Sequence, residues 1–136
     1  MFHKGSPSKK NILHKYYLNE KKRKVKLFNK KKDTVLIFLS TYCVRCLNIL
    51  PELNKLESIP GTSIIIFSDG DHYDNQDIKK VFSIKFHLIS VSETQLEEEI
   101  DVTVHPFFAL VNKEGEIYYK NELKSIEDIT QQLLVH

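Results

Sequence analysis

Thr34-Val35-Leu36-Ile37-Phe38-Leu39-Ser40-Thr41-Tyr42-Cys43-Val44-Arg45-Cys46 is the stretch that decides how this chain folds. Its first seven residues are almost wholly apolar, rich in β-branched and aromatic side chains, and lack polar alternation. That pattern predicts a central strand covered on both faces. Immediately after it, Leu47, Leu50, Leu53 and Leu56 recur every three residues, with Ile49 beside them and Asn48, Glu52, Asn54 and Lys55 between. This predicts an amphipathic helix with Pro51 inside it as a kink. Cys43-Val44-Arg45-Cys46 therefore falls where a buried strand gives way to a helix.

That placement matters more than the spacing. The first amides of a helix have no intrahelical acceptor and the helix dipole is positive there, so a thiolate at Cys43 is stabilised. Arg45 adds a permanent positive charge. The step from Cys43 to Cys46 is nearly one helical turn, close enough for the two sulfurs to form a disulfide. We assign Cys43 as the exposed nucleophile and Cys46, one turn deeper, as the resolving thiol. Half of a zinc site is the competing reading, and its further ligands would have to come from histidines such as His72, His87 and His105. Zinc wants four ligands, and no second cysteine pair or regularly spaced histidine pair is available.

Working outward, composition changes at about Lys32 from Lys-rich to apolar. The chain thus divides into a basic N-terminal extension, residues 1–32, and a domain over residues 33–136. Pro60-Gly61 marks a turn, Thr62 to Ser68 forms a second buried strand, and Asp69-Gly70-Asp71 ends it. A short helix capped by Asp74 follows, with Ile78, Val81 and Phe82 as its apolar face. Phe86 to Val91 reads as a short strand and Ser92 to Ile100 as a brief helix with an acidic outer face. Phe107 to Val111 and Glu116 to Lys120 flank Asn112-Lys113-Glu114-Gly115, the strongest hairpin signal in the chain. Ser125 and Asp128 resemble a capping box opening a last helix with Ile126, Ile129, Leu133 and Leu134 at helical spacing. Strand, helix, strand, helix, short strand, helix, hairpin, helix implies an α/β three-layer sandwich, a mixed central sheet with helices on both faces.

Residues 1–32 hold 12 of the 20 Lys and Arg against one acid, Glu20, which leaves 8 basic and 17 acidic residues in the rest. No stacking-aromatic pattern or helix-turn-helix signal accompanies the basic segment, so it reads as a solvated stretch with no nucleic-acid partner. No run of about 18 apolar residues exists to span a bilayer, and Met1 to Lys10 lacks the apolar stretch of a secretory signal. A cytoplasmic location and no stable membrane insertion are the expectations as written, with an extracytoplasmic one if a leader has been removed. Two cysteines so close together cannot staple distant parts of the chain, which excludes a disulfide-framework scaffold.

Taken together, Cys43-Val44-Arg45-Cys46 at a strand-to-helix junction, Pro51 five residues on, and His105-Pro106 leading into the Phe107 to Val111 strand and its hairpin resemble the thioredoxin superfamily. The likeness covers roughly residues 33–136. Within it, Phe38 to Cys43 and Ser68-Asp69-Gly70-Asp71 are most similar to the TlpA and MauD-like thiol-disulfide oxidoreductases. A narrower likeness is to the thioredoxin-like proteins encoded with sporulation-killing-factor-type peptides, where a disulfide-bearing peptide would be the client. The resemblance implies that Pro106 is a cis-proline against the active-site disulfide and that the backbone of His105 pairs with bound substrate. Tyr42, Val44 and Arg45 would line the same groove. The chain departs from the pattern in four places. Tyr42 replaces a tryptophan, Val44-Arg45 replaces Gly-Pro, Ile37 stands where thioredoxins keep a buried aspartate, and Ile49 where some TlpA-like proteins keep a glutamate.

The expected activity is exchange of the Cys43–Cys46 dithiol and disulfide with a disulfide-containing protein or peptide. No cofactor is needed beyond that disulfide, and a separate reductase or oxidant would recycle it. The alternative is a thioredoxin-fold binding module, an accessory to peptide maturation or assembly, whose cysteines are idle.

Overall fold

The structure is a computed structural model that describes residues 16–102 and 104–135 of the chain. Strand β3, Asp33–Leu39, occupies the middle of a five-stranded sheet of order β5-β4-β3-β6-β7. It runs parallel to β4, Thr62–Ser68, and antiparallel to β6, Phe107–Val111. Both neighbours are apolar runs, as expected for strands buried on two faces. β5, His87–Ser90, extends the sheet in parallel beyond β4, and β7, Ile117–Glu122, closes the other side as the second arm of a hairpin. In that hairpin Gly115 adopts φ 86°, where a glycine carries no Cβ penalty, and the Asn112 carboxamide accepts the amides of Glu114 and Glu116, both at 2.9 Å.

After β3 come helix α1, Val44–Ile49, and then a tighter 3-10 helix, Leu50–Ser58. The sequence suggested one helix kinked at Pro51. What forms instead is a change of helix type: Pro51 has no N–H to continue the α ladder, and Leu50, Leu53 and Leu56 bury at the three-residue repeat that a 3-10 helix stacks on one side. Leu47, one step earlier in the repeat, is still on the α turn and stands exposed. Helix α2, His72–Val81, is capped by Asp71 and not by Asp74. The two carboxylates form a reciprocal box, Asp74 N–H donating to Asp71 at 2.8 Å and Asp71 N–H to Asp74 at 3.1 Å. Val81 is exposed, and the inward stripe of α2 is Asn75, Ile78 and Phe82. A short turn α3, Glu93–Gln95, runs into a π turn, Leu96–Ile100, and α4, Ile126–Val135, ends the described chain. Asp128 opens α4 by accepting the amides of Lys124 and Ser125 at 2.9 and 3.1 Å.

Alternation along β3 sends its side chains into two cores. Val35, Ile37 and Leu39 join Leu50, Leu53, Leu56 and Ile129 beneath α1, the 3-10 helix and α4. Leu36 and Phe38 face the other way, into a cluster with Phe67, Ile89, Leu96 and Phe107. Few helical residues cover this second face. Its remaining cover is a segment the composition assigned to a solvated extension: β1, Tyr16–Leu18, pairs antiparallel with β2, Lys24–Lys26, and Val25, Leu27 and Phe28 are buried against the sheet. The packed unit therefore begins well before Lys32. Lysines at alternate positions hide the signal, because Lys24 and Lys26 point outward on either side of Val25.

Candidate active site: a dithiol at the end of β3

Cys43 is the N-cap of α1, in extended conformation at φ −110° and ψ 118°. Its sulfur accepts the Cys46 amide at 3.3 Å, so a side-chain thiol takes the role that an oxygen plays in ordinary caps. The Cys43 sulfur is partly exposed, whereas Cys46 is buried beneath it and receives the Ser40 amide at 3.3 Å. Both cysteines are free. The peptide bond between His105 and Pro106 is cis, as the resemblance implied, and the His105 carbonyl lies 3.8 Å from the Cys43 sulfur. Arg45 reaches across the same loop, donating to that carbonyl at 3.5 Å and pairing with Glu122 at 2.9 Å. Tyr42 and Val44 project into solvent on either side of Cys43, 92% and 72% exposed.

The two thiols are driven apart electrostatically. Burial pushes the Cys43 thiol up, but the Cys46 thiol and amide, the Arg45 amide and the Arg45 charge outweigh it and leave Cys43 below its ordinary value. Burial also leads at Cys46, and there the Cys43 sulfur and the charge of Asp69 add to it, so that thiol is pushed up to about 12 against the single opposing bond from Ser40. An accessible, acidified sulfur above a buried, protonated one is an arrangement for two-step thiol exchange.

The site residues expected from sequence, Tyr42, Cys43, Val44, Arg45, Cys46, His105 and Pro106, come together at one end of the sheet. Of the histidines weighed as zinc ligands, only His105 is here: His72 starts α2, and His87 sits on β5 with its Nδ1 3.0 Å from the Asn19 carboxamide. No group of three or more potential ligands gathers among the described residues. Sequence reasoning missed Asp69 and Glu122. Asp69 lies beside the dithiol, accepting the Ser40 hydroxyl and the Thr41 amide at 2.8 Å each. The polar turn after β4 was visible in sequence, but its register against β3 was not.

No protein-family model and no curated protein matches the chain. Solved structures do match. A secreted Mycobacterium tuberculosis disulfide oxidoreductase homologous to E. coli DsbE superposes with a TM-score of 0.73 at 14% identity, over 91% of this chain and 97% of that one. StoA from Bacillus subtilis gives 0.71 at 17%, over 90% and 98%. The thioredoxin domain of a Bacteroides vulgatus thiol-disulfide oxidoreductase gives 0.74 at 20%, over 96% and 98%. At such identities the likeness defines the fold, and the fold is that of thioredoxin.

Proposed function

We propose that this protein is a thiol-disulfide oxidoreductase acting on a disulfide in a protein or peptide. The observation that carries the reading is the stacked pair itself, a half-exposed, acidified Cys43 capping α1 directly over the buried Cys46, beside the cis bond at Pro106. The Cys43 thiolate attacks one sulfur of the client disulfide, forming a mixed disulfide and expelling the other client sulfur as a thiolate that takes up a proton. Cys46 then loses its proton and attacks the Cys43 sulfur. The second client thiol leaves, and the enzyme holds the Cys43–Cys46 disulfide. Two electrons have moved to the client, which takes up two protons, one released by Cys46 and one from solvent. In an oxidising compartment the same steps run in reverse, and a separate reductase or oxidant resets the pair.

Tyr42 and Val44 are proposed to meet the apolar flanks of the client, and the His105 backbone to pair with its main chain. A disulfide-bearing peptide of the kind suggested by the narrower sequence likeness is one client of this chemistry. No helix among the described residues is long and apolar enough to cross a membrane.

Equilibration in glutathione and dithiothreitol buffers, followed by alkylation and mass measurement, tests the proposal. A reversible two-electron couple, lost in Cys43→Ser, is expected, together with a trapped mixed disulfide in Cys46→Ser. If no intramolecular disulfide forms and client binding survives Cys43→Ser, the protein is instead a binding module with idle cysteines.

A further inference from the structure

β3 and β4 run in parallel register, Leu39 opposite Ser68, so Ser40 and Thr41 leave the sheet beside Asp69. The Asp69 carboxylate is engaged almost wholly with them. One oxygen accepts the Ser40 hydroxyl at 2.8 Å; the other accepts the Thr41 amide at 2.8 Å and the Thr41 hydroxyl at 3.0 Å. Ser40 in turn donates its amide to the Cys46 sulfur at 3.3 Å and accepts the Cys43 amide on its carbonyl at 3.2 Å. Its hydroxyl also accepts the Tyr42 amide at 3.2 Å. A single carboxylate thus fixes the turn whose backbone holds both cysteines.

We propose that Asp69 is the positioning acid of this dithiol: it aims the Ser40 amide at Cys46 and keeps a negative charge beside the pair that disfavours the thiolate and favours the disulfide. The inference rests on the redox reading above. The disulfide is uncharged and the reduced pair carries the Cys43 thiolate, so a fixed negative charge nearby makes the couple more reducing. Asp69 has that charge wherever the thiols titrate. Burial works to raise its pKa, but the Thr41 amide, the Ser40 and Thr41 hydroxyls and the charge of His105 hold it below the ordinary value. Asp71 and Asp74 follow it in the cap of α2. Ile37, on the strand that leads to this turn, is wholly buried in the apolar core and supplies no charge.

The test is the reduction potential of the Cys43–Cys46 pair and the pH profile of its alkylation, in the unchanged chain and in Asp69→Asn and Asp69→Ser, with thermal unfolding as the check on folding. Asparagine keeps an acceptor for the Thr41 amide and removes the charge; serine removes the charge should the carboxamide disturb the turn. Both variants are expected to stabilise the dithiol by three- to tenfold, a tenfold change being about 30 mV for a two-electron couple, and to shift alkylation to lower pH. A potential and pH profile unchanged in the folded variants, or a potential that falls, overturns the inference and leaves Asp69 a structural turn residue. Absence of any reversible couple in the unchanged chain overturns the redox reading first.

Discussion

Arg45 brings a permanent positive charge to the nucleophile's surroundings, and its guanidinium is shared between Glu122 and the His105 carbonyl. Its charge lowers the Cys43 pKa, though after the hydrogen bonds from Cys46 and its own amide. Because the side chain is largely exposed, water and salt screen that contribution. Arg45→Ala should therefore raise the Cys43 pKa and slow alkylation at neutral pH, where the thiolate fraction falls, by less than tenfold. At a pH well above both pKa values the rates should converge, since both proteins are then fully thiolate. A rate deficit that persists at high pH would mean that Arg45 acts on access and not on charge. Sequence placed a strand end and a helix start around Cys43 and Cys46, because both are local patterns. It missed Glu122 and Asp69 because their roles come from strand register across the sheet, which no local pattern records.

At the level of elements, the most informative departure is the helix after Cys46. A repeat of leucines every three residues suits either an irregular α face or a true 3-10 stack, and only packing separates the two. Leu53 and Leu56 are essentially fully buried while Leu47 is 47% exposed, so the register changes at Leu50, just before Pro51. Leu53→Ala should accordingly cost about 2–5 kcal/mol, the range for emptying a buried leucine site. Leu47→Ala should fall within about 0.5 kcal/mol, as for an exposed position. Denaturant unfolding of the two variants measures this, and equal losses would place both leucines on one continuous buried face. The other elements were legible in order and type from residue 33 onward, because each long apolar run is bounded by turn residues with a mechanism of their own.

For the whole molecule, packing reaches across the change of composition at Lys32. A chain that is lysine-rich over residues 21–32 looks solvated on average, yet Val25, Leu27 and Phe28 sit inside the core. Tyr17 adds an edge-on contact to Phe67, ring centroids 5.6 Å apart. The turn between β1 and β2 is tied down as well. Glu20, 3% exposed, accepts the Leu88 amide at 3.1 Å and pairs with Lys79 at 2.9 Å, joining the N-terminal hairpin to both β5 and α2. Burying each of the three apolar side chains contributes about 1.5–3 kcal/mol, a sum comparable with the ~5–15 kcal/mol that holds an entire domain together. Without them, Phe38, Phe67 and Phe107 would face water on one side of the sheet. A chain starting at Asp33 should therefore fail to fold cooperatively, showing loss of the thermal transition and binding of a hydrophobic dye, whereas one starting at Tyr16 should keep the transition. The dithiol lies on the opposite end of β3 from this truncation. A residue 33–136 fragment that melted cooperatively and retained an acidified Cys43 would show that the hairpin only lies against the sheet and adds nothing to the scaffold that positions the site.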